Sequence, residues 1–181
     1  MISSGGCSSL PGAEVREASS AADYGAVAAL MRAFVAWHYE RHSDDRHIID
    51  SYFDPTAFEA EMKELPGCFS PPGGALLVAE ENGRIAGCVA LRELRIGACE
   101  MKRMFVAPEF HGRGVGQALA RAVIKRAKDL GYRRMMLDTG PAQREAQALY
   151  RKIGFMDVEP YYDLSPELRA WLVFMELDLT R

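Results

Sequence analysis

The residues best suited to chemistry form a glycine-rich run, His111-Gly112-Arg113-Gly114-Val115-Gly116, between an apolar strand-like stretch and an amphipathic helix. Such a turn directs free backbone N–H groups and the positive end of a helix at an anion, so it predicts a phosphate or pyrophosphate site. A dinucleotide fingerprint is excluded because Gln117 stands where the third glycine of G-x-G-x-x-G belongs, and no Walker G-K-[ST] follows. The alternative is a structural helix cap, although three alternating glycines around an arginine exceed what a cap requires.

Two further side chains, Tyr150 and Glu100, have the chemistry of an acid and a base. Tyr150 shares one face of a predicted helix with Ala146 and Ile153, so its ring should point inward and its hydroxyl needs a partner. A core tyrosine bonded to a carbonyl group is the alternative. The alternation of side chains along a predicted strand places Glu100 on the same side as Lys102. The alternative for Glu100 is a carboxylate on a solvated face.

The remaining polar patterns are less specific. His38 and His42 lie one helical turn apart, but no intervening glutamate or third ligand accompanies them, so we expect no metal site. The four cysteines contain no C-x-x-C pair, which suggests neither a zinc cluster nor a disulfide framework. Asp138-Thr139-Gly140 matches the D-T-G of aspartic proteases, but those need two facing carboxylates and a mostly β chain. We interpret Asp138-Thr139 as the end of a strand that lines a substrate pocket.

Hydrophobic spacing predicts the elements that must position these groups. The first half comprises a strand at 14–18, a helix capped by Asp23 and ending near Arg41, a helix at 54–65, and meander strands at 75–80, 85–94 and 98–106. The second half comprises a helix from Val115 to Gly131, a strand at 135–137, a helix that ends at Gly154, and strands at 155–162 and 171–179. This order indicates an α+β fold with one parallel strand pair.

Composition narrows the class of protein. The chain has 181 residues with 22 Lys+Arg and 25 Asp+Glu, a net charge of −3 that gives no general attraction to nucleic acid or to a phospholipid surface. Its apolar runs are far shorter than the ~20 residues that a bilayer span needs. We therefore expect a disordered Ser/Gly-rich tail over residues 1–12, a single domain over residues 13–181, and a cytoplasmic protein with no nucleic-acid or membrane partner.

Three segments together carry a resemblance: Glu100–Val106, the H-G-R-G-V-G run, and Ala146–Phe155 with its A-x-A-L-Y-R-K-I-G-F pattern. In order and spacing they resemble the GNAT superfamily of acetyl-CoA-dependent N-acetyltransferases, and the similarity extends over most of residues 14–179. Between Glu64 and Tyr162 the chain is similar to a bacterial subgroup of that superfamily. The resemblance implies a mixed, mostly antiparallel sheet of six to seven strands, with helices on both faces and a splayed central parallel pair.

The same resemblance implies how acetyl-CoA binds. Backbone N–H groups of Arg113, Gly114, Val115 and Gly116 would hold the pyrophosphate, in a loop that also includes Gly112 and has His111 in place of the usual Gln or Arg. Pantetheine would enter where the central strands splay and bond to the main chain of Met104, Phe105 and Val106. A strand N–H near Phe105 would then stabilise the oxyanion. Gln143, which replaces a frequent Asn, Ala146 and Tyr150 complete the cofactor set.

For the reaction, the resemblance implies that Tyr150 protonates the departing CoA thiolate and that Glu100, directly or through water, takes the proton of the acceptor ammonium. We expect the acceptor to meet His38, Tyr39, Lys102, Thr139 and Tyr161, without a metal ion. The predicted reaction moves acetyl directly to a primary amine of a small molecule or amino acid. The alternatives are acetylation of a protein or peptide amine and a non-catalytic acyl-CoA-binding or regulatory module. The apolar residues of 171–179 also suggest strand pairing in a homodimer.

Overall fold

A computed structural model describes residues 12–181, so the predicted tail lies outside the described residues except for Gly12. Within this range the chain forms seven strands and six α-helices. The strands are β1 (Glu14–Glu17), β2 (Ala75–Glu81), β3 (Arg84–Arg95), β4 (Ala98–Val106), β5 (Arg134–Thr139), β6 (Met156–Val158) and β7 (Val173–Asp178). The helices are α1 (Ala21–Arg41), α2 (Arg46–Tyr52), α3 (Pro55–Lys63), α4 (Val115–Asp129), α5 (Arg144–Ile153) and α6 (Pro166–Trp171).

The seven strands form one sheet in the order β1-β2-β3-β4-β5-β7-β6. Among the described strands only β4 and β5 pair in parallel, and they do so only between Ala98–Glu100 and Arg134–Met136. Beyond these three residue pairs β4 and β5 both continue but no longer pair with each other, so the sheet opens between them. The predicted fold class, with its splayed central parallel pair, is confirmed.

Both faces of the sheet are buried under helices. Along β2, Leu77 and Ala79 face a core cluster that includes α4 residues such as Leu119, whereas Leu76 and Val78 face a second cluster that includes Met31 of α1. This split follows from the two-residue period of a strand, which sends alternate side chains to opposite faces. Each large side chain that is fully buried in this way contributes ~1.5–3 kcal/mol, so the sheet is a rigid platform for the groups at its centre.

The start of α1 corrects one detail of the sequence analysis. Ser20, not Asp23, is the N-cap, and Asp23 is the third helical residue of a capping box. The Asp23 carboxylate accepts hydrogen bonds from Arg16 at 2.8 and 3.0 Å and from the backbone N–H groups of Ser19 and Ser20. The bond to Arg16 is the main reason that the pKa of Asp23 lies well below its ordinary value.

Two short helices, α2 and α6, were not predicted from the sequence. The seven residues of α2 and the six of α6 are too short to be stable alone, and they are held by a cluster in which Ile48 meets Leu168, Leu172 and Phe174. The predicted strand at 155–162 is only β6. The predicted pairing of 171–179 with the same strand of a second copy is not available to β7, because β7 is hydrogen-bonded to β5 on one side and to β6 on the other.

A bulge in β4 lies at the point where this strand leaves β5. Between Cys88 and Ala90, β3 advances two residues while β4 advances three, so β4 carries one extra residue, and Arg103 there has a φ of 56°. Gly87 of β3 faces the same segment, because a Cβ at this position would come within 2.6 Å of the Phe105 carbonyl oxygen. The glycine thus permits close backbone approach beside the bulge.

Candidate active site

The space opened by the splayed strands is occupied by two adjoining cavities. The larger one, of about 370 Å³, lies against the glycine-rich loop and the start of α5. The smaller and more enclosed one, of about 50 Å³, lies against the end of β5. Phe34, Met104, Gln143 and Tyr150 line both cavities, so the two spaces meet at these four side chains.

The larger cavity collects residues that the sequence analysis predicts for the cofactor. All of the predicted cofactor residues except Arg113 line it: Met104, Phe105, Val106, His111, Gly112, Gly114, Val115, Gly116, Gln143, Ala146 and Tyr150. The side chain of Arg113 instead pairs with Glu81 at 3.1 Å, whereas its predicted contribution is a backbone N–H. Sequence reasoning missed Trp37 and Arg41, which line the outer wall from α1 and give no local signal of their position.

The loop itself has the geometry of an anion site. Gly112 and Gly114 have φ values of 76° and 81°, a region in which a side chain is strained. Gly114 is also the N-cap of α4, whose first N–H groups have no acceptor within the helix and carry the positive end of its dipole. The His111 ring is turned back, with Nε2 at 2.9 Å from the Val106 carbonyl oxygen, and so attaches the loop to the end of β4.

Tyr150 lies at the junction of the two cavities with its ring packed against Phe155. The residue is 6% exposed, and within residues 12–181 its hydroxyl reaches only the thioether sulfur of Met104, at 3.5 Å. A thioether is a weak acceptor, so the hydroxyl is available to another partner, and the alternative of a core tyrosine bonded to a carbonyl group does not describe it. Burial and then the charge of Asp138 raise the pKa of Tyr150, which keeps the phenol protonated.

The smaller cavity has a charged wall and an aromatic wall. The charged wall contains Lys102 and Asp138, whose Nζ and Oδ2 atoms are 3.3 Å apart. The predicted residue Thr139 also lines this cavity, and its hydroxyl donates to the Gln143 side-chain oxygen at 2.9 Å. The aromatic wall is formed by side chains from α1, α2 and α6 and the residue after α2: Phe34, Tyr52, Phe53 and Trp171.

Glu100 lies next to this cavity but does not line it. Its side chain is 0% exposed, so the alternative of a carboxylate on a solvated face is wrong. The carboxylate accepts from Arg92 Nε at 2.6 Å, from Lys102 Nζ at 3.3 Å and from the Tyr161 hydroxyl at 2.8 Å. Lys102 therefore stands between Glu100 and Asp138 and bonds to both carboxylates.

His38 is the one predicted acceptor residue on α1 that reaches the smaller cavity. It is 3% exposed, and its Nδ1 is buried without a hydrogen-bond partner among the described residues. Burial, with a smaller effect of the neighbouring His42, lowers the pKa of His38 to about 4. The imidazole is therefore neutral near pH 7 and can accept or donate one hydrogen bond at each nitrogen.

Two predicted acceptor residues are not brought to either cavity. The Tyr39 hydroxyl bonds to Asp50 on the surface, and Tyr161 is directed at Glu100. Tyr52 and Trp171 reach the site instead, and the sequence analysis missed them because they belong to the two unpredicted short helices. Trp171 is held in place by a bond of 3.2 Å from its Nε1 to Asp45.

Residues 12–181 contain neither a cluster of metal ligands nor a membrane-spanning helix. No three side chains of His, Cys, Asp or Glu lie together as metal ligands would. No helix in this part of the chain is both long and apolar enough to cross a bilayer.

Comparison with known proteins gives consistent matches. A model described as the acetyltransferase (GNAT) family matches residues 31–155. An uncharacterized N-acetyltransferase of Schizosaccharomyces pombe is 43% identical over 96 residues, which cover 52% of this chain and 59% of that protein. A protein of Azospirillum brasilense named IAA acetyltransferase is 32% identical over 136 residues, which cover 75% of this chain and 85% of that protein. This chain thus spans about three fifths of the length of the Schizosaccharomyces pombe relative.

Solved structures share the fold at lower sequence identity. The PaiA N-acetyltransferase of Thermoplasma acidophilum, solved in complex with coenzyme A, superimposes with a TM-score of 0.72 and 20% identity. The match covers 93% of this chain and 99% of that one. At this identity the similarity concerns the arrangement of the strands and helices.

Proposed function

Because the chain belongs to the acetyltransferase (GNAT) family, we propose that it transfers the acetyl group of acetyl-CoA directly to the nitrogen of a small primary amine. The observation that carries this proposal is the junction of two cavities at Tyr150, whose hydroxyl has no oxygen or nitrogen partner among the described residues. One cavity suits a long phosphate-bearing cofactor and the other a compact acceptor. The coenzyme A complex of the Thermoplasma acidophilum protein, which shares the fold, supports the choice of cofactor.

The larger cavity would hold acetyl-CoA along its length. The pyrophosphate would lie on the backbone N–H groups of Gly114, Val115 and Gly116, where the helix dipole favours negative charge. Pantetheine would follow the end of β4 at Met104–Val106 towards the junction. There a strand N–H near Phe105 would stabilise the oxyanion of the tetrahedral intermediate, because its dipole is already aligned before charge develops.

The reaction we propose has no covalent enzyme intermediate. The acceptor ammonium first loses a proton, since a protonated nitrogen has no lone pair for attack. The free amine adds to the thioester carbonyl carbon to form the C–N bond, the C–S bond breaks, and the nitrogen gives up a second proton to become an amide nitrogen. Tyr150 then gives its proton to the departing thiolate, a role for which a protonated phenol at the cavity junction is suited. The resemblance assigns the first proton to Glu100, acting with water.

The form of the smaller cavity supports a compact acceptor over a polypeptide. Aromatic side chains from three helices form part of its wall, and its volume of about 50 Å³ suits the amino group of a small molecule but not an extended chain. His38 and Lys102, two of the predicted acceptor residues, would lie beside the amine. We also propose that the reaction takes place in the cytoplasm, and fractionation of cells that produce the protein would test this location.

Thermal unfolding with separate additions of acetyl-CoA, CoA, ATP and NAD tests the cofactor. A ligand at 100 times its Kd stabilises a protein by ~2.7 kcal/mol, which corresponds to about 5–10 °C for a domain of this size. We expect this shift with acetyl-CoA and CoA only. Release of CoA thiol in the presence of a panel of amines then separates an enzyme from a non-catalytic binding module. Stabilisation by ATP or NAD instead of CoA would overturn the proposal.

A further inference from the structure

Asp138 is a buried carboxylate to which the resemblance assigns no catalytic role. It lies near the end of β5, where this strand has left β4, and its side chain is 3% exposed. It lines the smaller cavity together with Tyr150, whereas Glu100 does not line either cavity. A ligand in the smaller cavity would therefore lie beside Asp138.

The groups that face Asp138 hold it in one orientation. Tyr52 of α2 donates to Oδ1, while Tyr162, at 3.0 Å, and Lys102 of β4, at 3.3 Å, donate to Oδ2. The charge of Asp138 also acts on Arg103 of β4. A carboxylate has about four acceptor positions, so three donors leave one position for a ligand. Glu100 also accepts three donors, but it is enclosed by them and by the strands.

Asp138 is also electrostatically linked to the proposed acid. Tyr150 and Asp138 both line the smaller cavity. Burial and then the negative charge of Asp138 raise the pKa of Tyr150. This is the arrangement that an amine needs if it is to lose a proton to one group while the thiolate gains a proton from the other.

We propose that Asp138, and not Glu100, binds the ammonium group of the acceptor and receives its proton; this inference rests on the proposed acetyl transfer. Before the nitrogen attacks the thioester carbon, the N–H proton that is hydrogen-bonded to Asp138 passes to Oδ1, the carboxylate oxygen that has a single donor among the described residues. The electron pair of that N–H bond remains on nitrogen and becomes the C–N bond. The C–S electrons leave with sulfur, which takes the Tyr150 proton. The nitrogen, which still carries one proton more than an amide holds, returns that proton to the Tyr150 oxygen. Glu100 then acts on the reaction only by holding Lys102.

The charges of the wall indicate the class of amine. Lys102 is already paired with Asp138 and Glu100, and Arg103 is paired with Glu61 at 2.8 and 2.9 Å. A carboxylate on the acceptor would therefore find cations that are already neutralised. Aromatic side chains form part of the remaining wall, and their faces attract an ammonium group. The substrate class is a compact primary amine without a carboxylate, and benzylamine serves as the probe.

The first test compares Asp138→Asn with Glu100→Gln, two substitutions that remove the same charge from neighbouring carboxylates. With benzylamine, we expect Asp138→Asn to lower kcat/KM at least ~100-fold and Glu100→Gln to lower it less than ~10-fold. The Kd of acetyl-CoA should not change in either variant, which also reports that both are folded. If wild-type protein releases no thiol with any amine, the proposed function fails. If wild-type protein is active and Glu100→Gln is the more damaging change, only the present inference fails.

A second test uses two adjacent tyrosines that each donate to one of the two carboxylates. Tyr162 donates to Asp138 at 3.0 Å and Tyr161 donates to Glu100 at 2.8 Å, and both rings pack against Phe174 at centroid distances of 5.5 and 5.4 Å. Replacement by Phe removes one donor and keeps the packing. Each substitution therefore frees one carboxylate from one of its three donors, and turnover should respond only where that carboxylate takes part in the reaction.

We therefore expect Tyr162→Phe to lower kcat/KM for benzylamine several-fold, and Tyr161→Phe to leave it close to the wild-type value. The free energy of unfolding should fall by a similar amount in both variants, because each loses one hydrogen bond of the same kind. A larger loss of kcat/KM in Tyr161→Phe would identify Glu100 as the proton acceptor. That result, or equal losses in the two variants, would overturn the inference.

Discussion

Replacement of Tyr150 by Phe should remove the proposed acid with little cost to the fold. The only contact of the hydroxyl among the described residues is the Met104 sulfur at 3.5 Å. Its loss leaves no buried nitrogen or oxygen atom without a partner, and the ring keeps its packing against Phe155. Because a hydrogen bond to a thioether is weak, we expect the free energy of unfolding to change by less than ~0.5 kcal/mol.

The effect on turnover should be much larger. Loss of a general acid lowers the rate by ~10²–10⁴-fold, so a 100-fold fall in kcat corresponds to ~2.7 kcal/mol in the activation barrier. The pKa of Tyr150 is raised by burial, so the group is protonated across neutral pH and the fall should be uniform there. Release of CoA thiol at saturating amine gives kcat, and titration with acetyl-CoA should give an unchanged Kd.

Tyr132→Phe is the matched control for this experiment. Tyr132 is also buried, but its hydroxyl donates to the Gly73 carbonyl oxygen at 2.7 Å, away from both cavities. Its removal should cost ~1 kcal/mol of stability and leave kcat unchanged. Wild-type turnover in Tyr150→Phe, or a loss of stability equal to that of Tyr132→Phe, would refute the reasoning.

Three further outcomes follow from the backbone and from buried charge. Gly114→Asp should weaken acetyl-CoA binding by ~100-fold in calorimetry, because it adds a carboxylate beside the proposed pyrophosphate site, whereas Gly97→Asp, with a similar φ of 75° against 81°, should not. As the pH falls, His38 of the unfolded chain takes up a proton near pH 6.5, whereas His38 of the folded protein does so only near its lowered pKa of about 4. Stability in urea should therefore decline by ~3 kcal/mol between pH 7 and pH 4, and less in His38→Phe. Gly87→Ala should cost ~1–3 kcal/mol because its Cβ would meet a carbonyl oxygen at 2.6 Å, whereas Gly25→Ala, with nothing within 4 Å, should stabilise α1.

Controls decide each of these three cases. Equal loss of acetyl-CoA affinity in the two Gly→Asp variants would mean that strain, and not the added charge, is the cause. An unchanged pH dependence in His38→Phe would show that His38 is not the group that titrates between pH 4 and pH 6.5. Equal stability changes in the two Gly→Ala variants would show that the close approach at Gly87 relaxes without cost.

Much of the fold could be read from the sequence because its signals are local. The two-residue period of β2 to β4 and the helical period of α4 and α5 predicted these elements within one to three residues of their bounds. The glycine spacing likewise predicted the loop at 111–116, since positive φ at Gly112 and Gly114 is a property of the residue type. What escaped were α2 and α6, whose seven and six residues depend on each other's packing.

The sequence by itself therefore determined the family, the order of the elements and the loop that faces the larger cavity. Only the tertiary structure decided which carboxylate lines the smaller cavity. Asp138 meets Tyr52, Lys102 and Tyr162 across 86, 36 and 24 residues of chain. Glu100 is covered by Arg92 and Lys102, 8 and 2 residues away, and by Tyr161 at 61 residues. Periodicity assigns a side chain to one face of its own element. Its exposure at the centre of a sheet depends on which distant segments pack above that face. No local sequence pattern encodes that packing.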